Sequence, residues 1–218
     1  MPELKNIYPV FAIRKSDGYL LGGVAVVVTD IIFGPFYVMR PEARALGVGM
    51  KMMGPLIKAM AEPIKTRTLL GRAVKSMLKK YSAAPFYAVY RHEMYAFTLP
   101  KEELLNMFPC STNPLVAKSF KEMSPDQFEK VCDYDRLVSG RDRREFLKAY
   151  HSLFFTKGIA LLDATGEVKG IAGATPTLHS PKLIKIGPVF TSTREDASYL
   201  IKSIVNTYQE PDIKFVLH

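Results

Sequence analysis

The sequence predicts a mixed α/β (α+β) fold: mostly antiparallel sheet flanked by helices, built as two incomplete copies of one β-β-β-α unit. Three observations carry this. A hairpin pattern occurs twice, around Asp17-Gly18-Tyr19-Leu20-Leu21-Gly22 and around Thr165-Gly166-Glu167-Val168-Lys169-Gly170. Each is followed by a strand with a Gly-Pro step, Phe33-Gly34-Pro35-Phe36-Tyr37 and Ile186-Gly187-Pro188-Val189-Phe190. After the first of these strands, Arg44-Ala45-Leu46-Gly47-Val48-Gly49 opens a helical pattern.

In chain order, residues 10–14 read as a strand, and the Asp-Gly turn returns it to a small-residue strand at 23–28. Alternating apolar residues on either side of an Asp/Gly turn are a hairpin signal. Residues 31–39 form an apolar run of strand length. In the helix that follows, Leu46, Met50, Met53, Ile57 and Met60 recur at helical spacing and are expected to face the core. Gly54-Pro55 is expected to kink or end that helix, because Pro55 has no backbone N–H to donate. A short strand near 66–70, a helix near 73–83 and strands near 86–97 complete the first copy, assigned to residues 1–100.

Residues 101–123, with Pro109 and Asn113-Pro114, read as a connector that holds one or two helical turns near 102–108. The second copy is assigned to 124–218. Ser124-Pro125-Asp126-Gln127 is a helix start, with Pro in the first helical position. Helices near 124–132 and 142–155 precede its hairpin, and a helix at 194–208 and a strand at 213–217 end it. That last strand reads as a sheet edge open to pairing, which leaves a homo-oligomer open. The Gly18/Gly166 offset is 148 and the Gly34/Gly187 offset 153, so one connecting loop differs by five residues.

The 218 residues are 48% hydrophobic, which supports a packed core and excludes a disordered chain. No apolar run reaches the roughly 20 residues of a membrane span. The N-terminal stretch lacks a signal-peptide layout. Cys110 and Cys132 have no metal-like spacing, are read as inert thiols and fit a reducing compartment. A cytoplasmic protein without membrane partners is expected. The net charge of +9 is uneven: residues 1–100 hold 14 Lys+Arg against 6 Asp+Glu. This field suits an anionic ligand. Nucleic acid is disfavoured, since no basic cluster, zinc finger or aromatic RNA-binding motif appears.

A strand that runs into a glycine turn at a helix start exposes unpaired N–H groups to anions, phosphates above all. A P-loop is excluded, because no G-x-x-x-x-G-K-[ST] string exists. A dinucleotide fingerprint is excluded too, since Gly47-Val48-Gly49 is followed by Met52 where a third glycine belongs.

What remains is P-x-x-R-x-x-G-x-G, formed by Pro41, Arg44, Gly47 and Gly49. Here the chain resembles the GNAT superfamily, the Gcn5-related N-acetyltransferases, whose acyl-CoA loop has this pattern after the same order of strands. Tyr81 and Phe86 resemble the family's Y-x-x-x-G-F stretch, with Pro85 in place of the glycine. The second copy, with Asp133-Tyr134-Asp135 and Gly140-Arg141-Asp142-Arg143 before its strands, resembles the C-terminal repeat of a tandem subgroup of unassigned function. Together the resemblance covers most of residues 8–217.

The resemblance implies acetyl transfer from acetyl-CoA, or another acyl-CoA, to an amine acceptor the sequence does not specify. The N–H groups of Ala45, Leu46, Gly47, Val48, Gly49 and Met50 would hold the CoA pyrophosphate, beside Arg44. The pantetheine arm would pair with the backbone of Val38, Met39 and Arg40. Tyr81 would be the acid that returns a proton to the leaving thiolate. No metal is implied. His92 and Glu93 adjoin on an expected strand and point to opposite faces; neither is assigned as a base.

Two departures stand out, the first counting against catalysis and the second against CoA binding by the second copy. The first copy lacks the two helices that precede this strand pair in the family and wall the acceptor site. The second copy has Thr193-Arg194-Glu195-Asp196-Ala197-Ser198 where its glycine loop belongs, and two carboxylates there would repel pyrophosphate. The alternative is therefore a non-catalytic CoA-binding or protein-interaction module.

Overall fold

The computed structural model describes residues 6–71, 74–82, 95–108, 114–177 and 179–217, without the side chains of Pro35, Lys80 and Tyr81. The chain divides into two compact units, Met1–Arg91 and His92–His218.

The first unit is a four-stranded sheet in the order β1 (Ile7–Ile13), β2 (Leu20–Val28), β3 (Ile32–Met39), β4 (Leu69–Leu70). The hairpin expected from Asp17-Gly18 forms. Gly18 takes φ 71°, a left-handed conformation that glycine adopts without penalty. The Arg14 guanidinium bonds Asp17 and holds its carboxyl down at about 2. Helix α1 (Val48–Ala59) and the short α2 (Ala61–Thr66) connect β3 to β4, which pairs with it in parallel. Helix α3 (Leu78–Tyr81) follows.

Two expectations about α1 are corrected. Of the kink or end expected at Gly54-Pro55, the end does not occur, because the helix runs through Pro55 to Ala59. Its buried face is Met52, Leu56 and Met60, packed on Val24, Val26 and Val28. Of the face expected inside, Leu46, Met50 and Ile57 are exposed, Met53 packs at the edge and only Met60 is buried. Both sets have helical spacing, and the set that meets the inward residues of β2 wins. Each of the three buried side chains contributes about 1.5–3 kcal/mol.

The second unit begins with β5 (Phe97–Pro100) and α4 (Lys101–Asn106), then β6 (Val116–Ser119), α5 (Pro125–Ser139) and α6 (Arg144–His151). Strands β7 (Lys157–Leu162), β8 (Val168–Thr177) and β9 (Ser180–Thr191), helix α7 (Arg194–Asn206) and β10 (Lys214–Leu217) complete it. The sheet order is β5-β10-β9-β8-β7-β6. Here the expected boundaries differ from the structure. Residues 97–100 pair with 214–217, so they join the second unit and not the first. Much of the expected connector is also built in, as α4 and as β6, which pairs with β7. Strand β10 is not an edge, because β5 and β9 flank it.

Helix α5 starts as expected, with Ser124 and Gln127 closing a reciprocal capping box. Its Val131, with Phe120, covers Ala160, Leu162, Val168 and Ile171 on one face of the sheet. Helix α7 covers the other through Leu200, Ile204 and Val205. Arg143, just before α6, pairs bidentately with the fully buried Asp135 of α5.

The two sheets repeat one register. Val10↔Val24 corresponds to Ile159↔Ala172, Val24↔Tyr37 to Ala172↔Val189, and Ile32↔Leu69 to Ile184↔Phe215. The irregularity in the third strand is displaced by one residue on this register, lying between Val27↔Phe33 and Ala25↔Phe36 and between Ala174↔Ile186 and Ala172↔Val189. On this register Gly34 corresponds to Ile186, one residue before Gly187. The two Gly-Pro steps therefore lie in the same irregular stretch but one position apart, and the connecting loop differs by one residue less than the Gly-Pro alignment implies.

Among the described residues no helix is long and apolar enough to cross a membrane.

Candidate functional site

The loop after β3 is built from the strand outward. Arg40 ends the strand with its N–H on Leu21 O and its Nε on Leu20 O. Residues Pro41–Ala43 form one 3-10 turn, closed by the Arg44 N–H on Pro41 O. The Arg44 side chain turns back and donates from Nε to Met39 O at 3.2 Å. The chain then passes through Ala45 at φ 63° and Gly47 at φ 72°. A left-handed alanine costs about 1–2 kcal/mol, so Ala45 stores strain at this turn.

Gly47 is the N-cap of α1. It offers no side-chain cap, and the first turn holds no acidic residue. The N–H groups at the start of a helix have no carbonyl one turn back, and here they stand at the positive end of the helix dipole. A Cβ at Gly47 would meet nothing within 4 Å, so the approach is open. Gly49 differs. A Cβ there would stand 1.4 Å from the Tyr37 hydroxyl, whose ring lies against the first turn of α1. Any side chain at position 49 would therefore displace the Tyr37 ring, whatever ligand the loop takes.

Strand β3 pairs with β4 only at Ile32 and Phe33. Beyond them its outer edge meets no other described strand, and this open edge runs up to the loop. Val38 is 71% exposed, whereas the Met39 side chain is buried in the core, so only its backbone is on offer. Leu46 and Met50 stand exposed around the loop.

The structure brings together Val38, Met39, Arg40, Arg44 and the turn Ala45–Met50 on one strand-loop-helix junction. Tyr81 lies at the end of α3, and its side chain is outside the described residues. Pro85, Phe86, His92, Glu93 and Cys110 are also outside them. Sequence reasoning missed Tyr37, although it lies two residues before the inward Met39 on an alternating strand. It also missed the stack at the strand end: the guanidiniums of Arg14 and Arg40 lie 4.9 and 4.5 Å from the Tyr19 ring centre, and its hydroxyl meets Glu42 Oε1 at 3.2 Å.

The corresponding junction of the second unit is closed. Thr193 caps α7 by accepting the Asp196 N–H at 3.0 Å, and Glu195 and Asp196 occupy the first turn. Elsewhere in this unit, burial pushes the Cys132 thiol up to about 11 and the His151 imidazole down to about 4. His151 packs edge-on against Phe120, and its Nδ1 has no hydrogen-bond partner. Among the described residues no three His, Cys, Asp or Glu side chains converge as metal ligands.

Residues 131–217 match the family described as "Acetyltransferase (GNAT) domain". An uncharacterised Caenorhabditis elegans protein is 30% identical over 203 residues, 88% of this chain. The chain spans 60% of that relative's length. Among solved structures, a tandem GNAT protein from the clavulanic acid biosynthesis pathway aligns with 97% of this chain and 74% of its own, with a TM-score of 0.64 and 12% identity. A GCN5-related N-acetyltransferase from Sphaerobacter thermophilus aligns with 96% of this chain and 70% of its own, with a TM-score of 0.57 and 14% identity. These structures share the fold with both units.

Proposed function

We propose, from the premise that this chain belongs to the GNAT superfamily, that its first unit binds an acyl-CoA and that the protein transfers the acyl group, acetyl in the simplest case, to an amine. The observation that carries this reading is the open start of α1. Its N–H groups have no side-chain cap, are free of carboxylates and are preceded by Gly47, at the end of a strand whose outer edge beyond Phe33 meets no other described strand. The pyrophosphate would lie on the N–H groups of Ala45 to Met50, and the pantetheine amides along Val38 to Arg40.

In the reaction the amine nitrogen attacks the thioester carbonyl. A C–N bond forms, the C–S bond breaks, and the amine loses a proton. The thiolate leaves and takes up a proton, for which Tyr81 is the candidate donor. Such proton delivery is worth about 10²–10⁴-fold in rate. The second unit, with its capped and acidic α7 start, takes no CoA in this reading and acts as a structural repeat.

Calorimetry with acetyl-CoA tests the site. Binding is expected, and Gly47→Glu should abolish it by placing a carboxylate at the phosphate position. No binding at millimolar CoA would sink the proposal. One observation favours a second reading, a CoA-binding module without catalysis: among the described residues no helix buries Phe11, Ile13, Leu20 or Val38 on the face opposite α1. If CoA binds while thiol release stays at background across an amine panel, with Tyr81→Phe indistinguishable from the parent, this second reading holds.

A further inference from the structure

The matching registers allow the two sheets to be compared position by position on the face away from α1 and α7. In the second unit α5 and Phe120 bury that face, at Ala160, Leu162, Val168 and Ile171. The corresponding residues of the first unit are Phe11, Ile13, Leu20 and Gly23. Phe11, Ile13 and Leu20 are 61%, 60% and 45% exposed, against 0%, 7% and 8% for their counterparts. Val38, the counterpart of Phe190, is exposed as well.

The composition of this bare face is that of a covered one. It is apolar, and it conserves volume across the strand pair. The second unit pairs a small Ala160 with a large Ile171, and the first pairs a large Phe11 with Gly23. Phe11 lies directly over Gly23, where a Cβ would come within 3.0 Å of its ring. A solvated face needs neither the apolar residues nor the compensation. Between Phe11, Leu20, Phe36 and Val38 runs an open groove of about 450 Å³, and Arg40 is the charged residue that lines it.

We infer that this face is a docking surface for an amphipathic α-helix, seated on the first sheet as α5 is seated on the second, with an apolar stripe toward Phe11, Leu20 and Val38 and acidic side chains toward Arg40. The register comparison supplies the geometry, since the same four positions are buried in the other copy under α5 and Phe120. Charge supplies the sign: the partner's rim faces Arg40 in a half of the chain that carries 14 Lys+Arg against 6 Asp+Glu. A helix meets a half-exposed sheet through a stripe repeating at i, i+3, i+4 and i+7.

The test uses the full chain and two synthetic helical peptides with the same Leu/Ala stripe, one with a glutamate rim and one with a lysine rim, read by fluorescence anisotropy. The glutamate peptide is expected to bind saturably and more tightly than the lysine peptide. Ile13→Glu and Leu20→Glu should each weaken it by about tenfold or more, as loss of a central apolar contact does. Circular dichroism identifies any variant that fails to fold, and Leu137→Glu, at a position 80% exposed in the second unit, should change nothing. Equal affinity for both rims, or no saturable binding of either peptide, would overturn the proposal. So would a homodimer that Ile13→Glu converts to monomer, which places a second copy on this face, or vesicle binding that the same variant removes, which places lipid there.

Discussion

The two units share a strand register from hairpin to crossover, yet each is closed where the other is open. The second unit is covered on both faces of its sheet, and the helix after its third strand starts with its own cap and two carboxylates. Among the described residues the first unit is covered on one face, and its equivalent helix starts without a side-chain cap behind Gly47. One topology thus carries two divisions of labour. On the reading proposed above, the copy whose surfaces are satisfied serves as the scaffold, and the copy whose backbone and apolar surface are left available takes the ligand.

Equivalent truncations break this comparison most directly. Leu162→Ala should cost about 2–5 kcal/mol, because it opens a cavity under α5. Ile13→Ala, at the same register position in the first unit, should change stability by less than about 0.5 kcal/mol. Chemical denaturation of both variants measures the difference, and equal losses would mean that the first face is buried in the folded chain.

The next largest effect depends on pH. His151 is held neutral by burial, which pushes it down to about 4 from the 6.5 of a free imidazole, against the opposing pull of Asp135. Between those values the unfolded chain binds the extra proton and the folded one does not. This site therefore stabilises the fold fully above about pH 6.5 and loses up to about 3 kcal/mol as pH falls to 4. His151→Phe should flatten that limb of a stability profile of the second unit. An unchanged profile would remove His151 as the source.

The smallest effect tests the helix starts. Thr193→Ala removes the cap of α7 and should cost about 1 kcal/mol. It should leave acetyl-CoA binding unchanged, because the proposed binding loop belongs to the other copy. A change in CoA affinity would show that the closed junction takes part in binding after all.

Much of this architecture was legible in the sequence. Asp17-Gly18 and Thr165-Gly166 marked both hairpins, Ser124 with Gln127 marked the start of α5, and Arg44 to Gly49 marked a strand-loop-helix junction. These are local signals, written in turn and capping chemistry that depends on few neighbours. What failed was tertiary. Leu46, Met50 and Ile57 keep helical period as well as Met52 and Leu56 do, and only the direction of the β2 side chains decides between them. The boundary at residue 100 failed because the partner of 97–100 lies more than a hundred residues away in sequence. Within the candidate site, the motif residues could be read directly. Tyr37 could not, because its role exists only once β3 lies beside α1.

That distant pairing also sets an order of events. Strand β10 is hydrogen-bonded on both sides, to β5 and to β9, and it is the link that joins β5 to the rest of the sheet. During synthesis β5 emerges early, with its edge unsatisfied, and waits for residues 214–217 before it can be stitched in. The second unit is therefore completed from its far end, by a closure of high contact order that is slow compared with forming the hairpins. Its last few residues act as a zip fastener for residues made long before them.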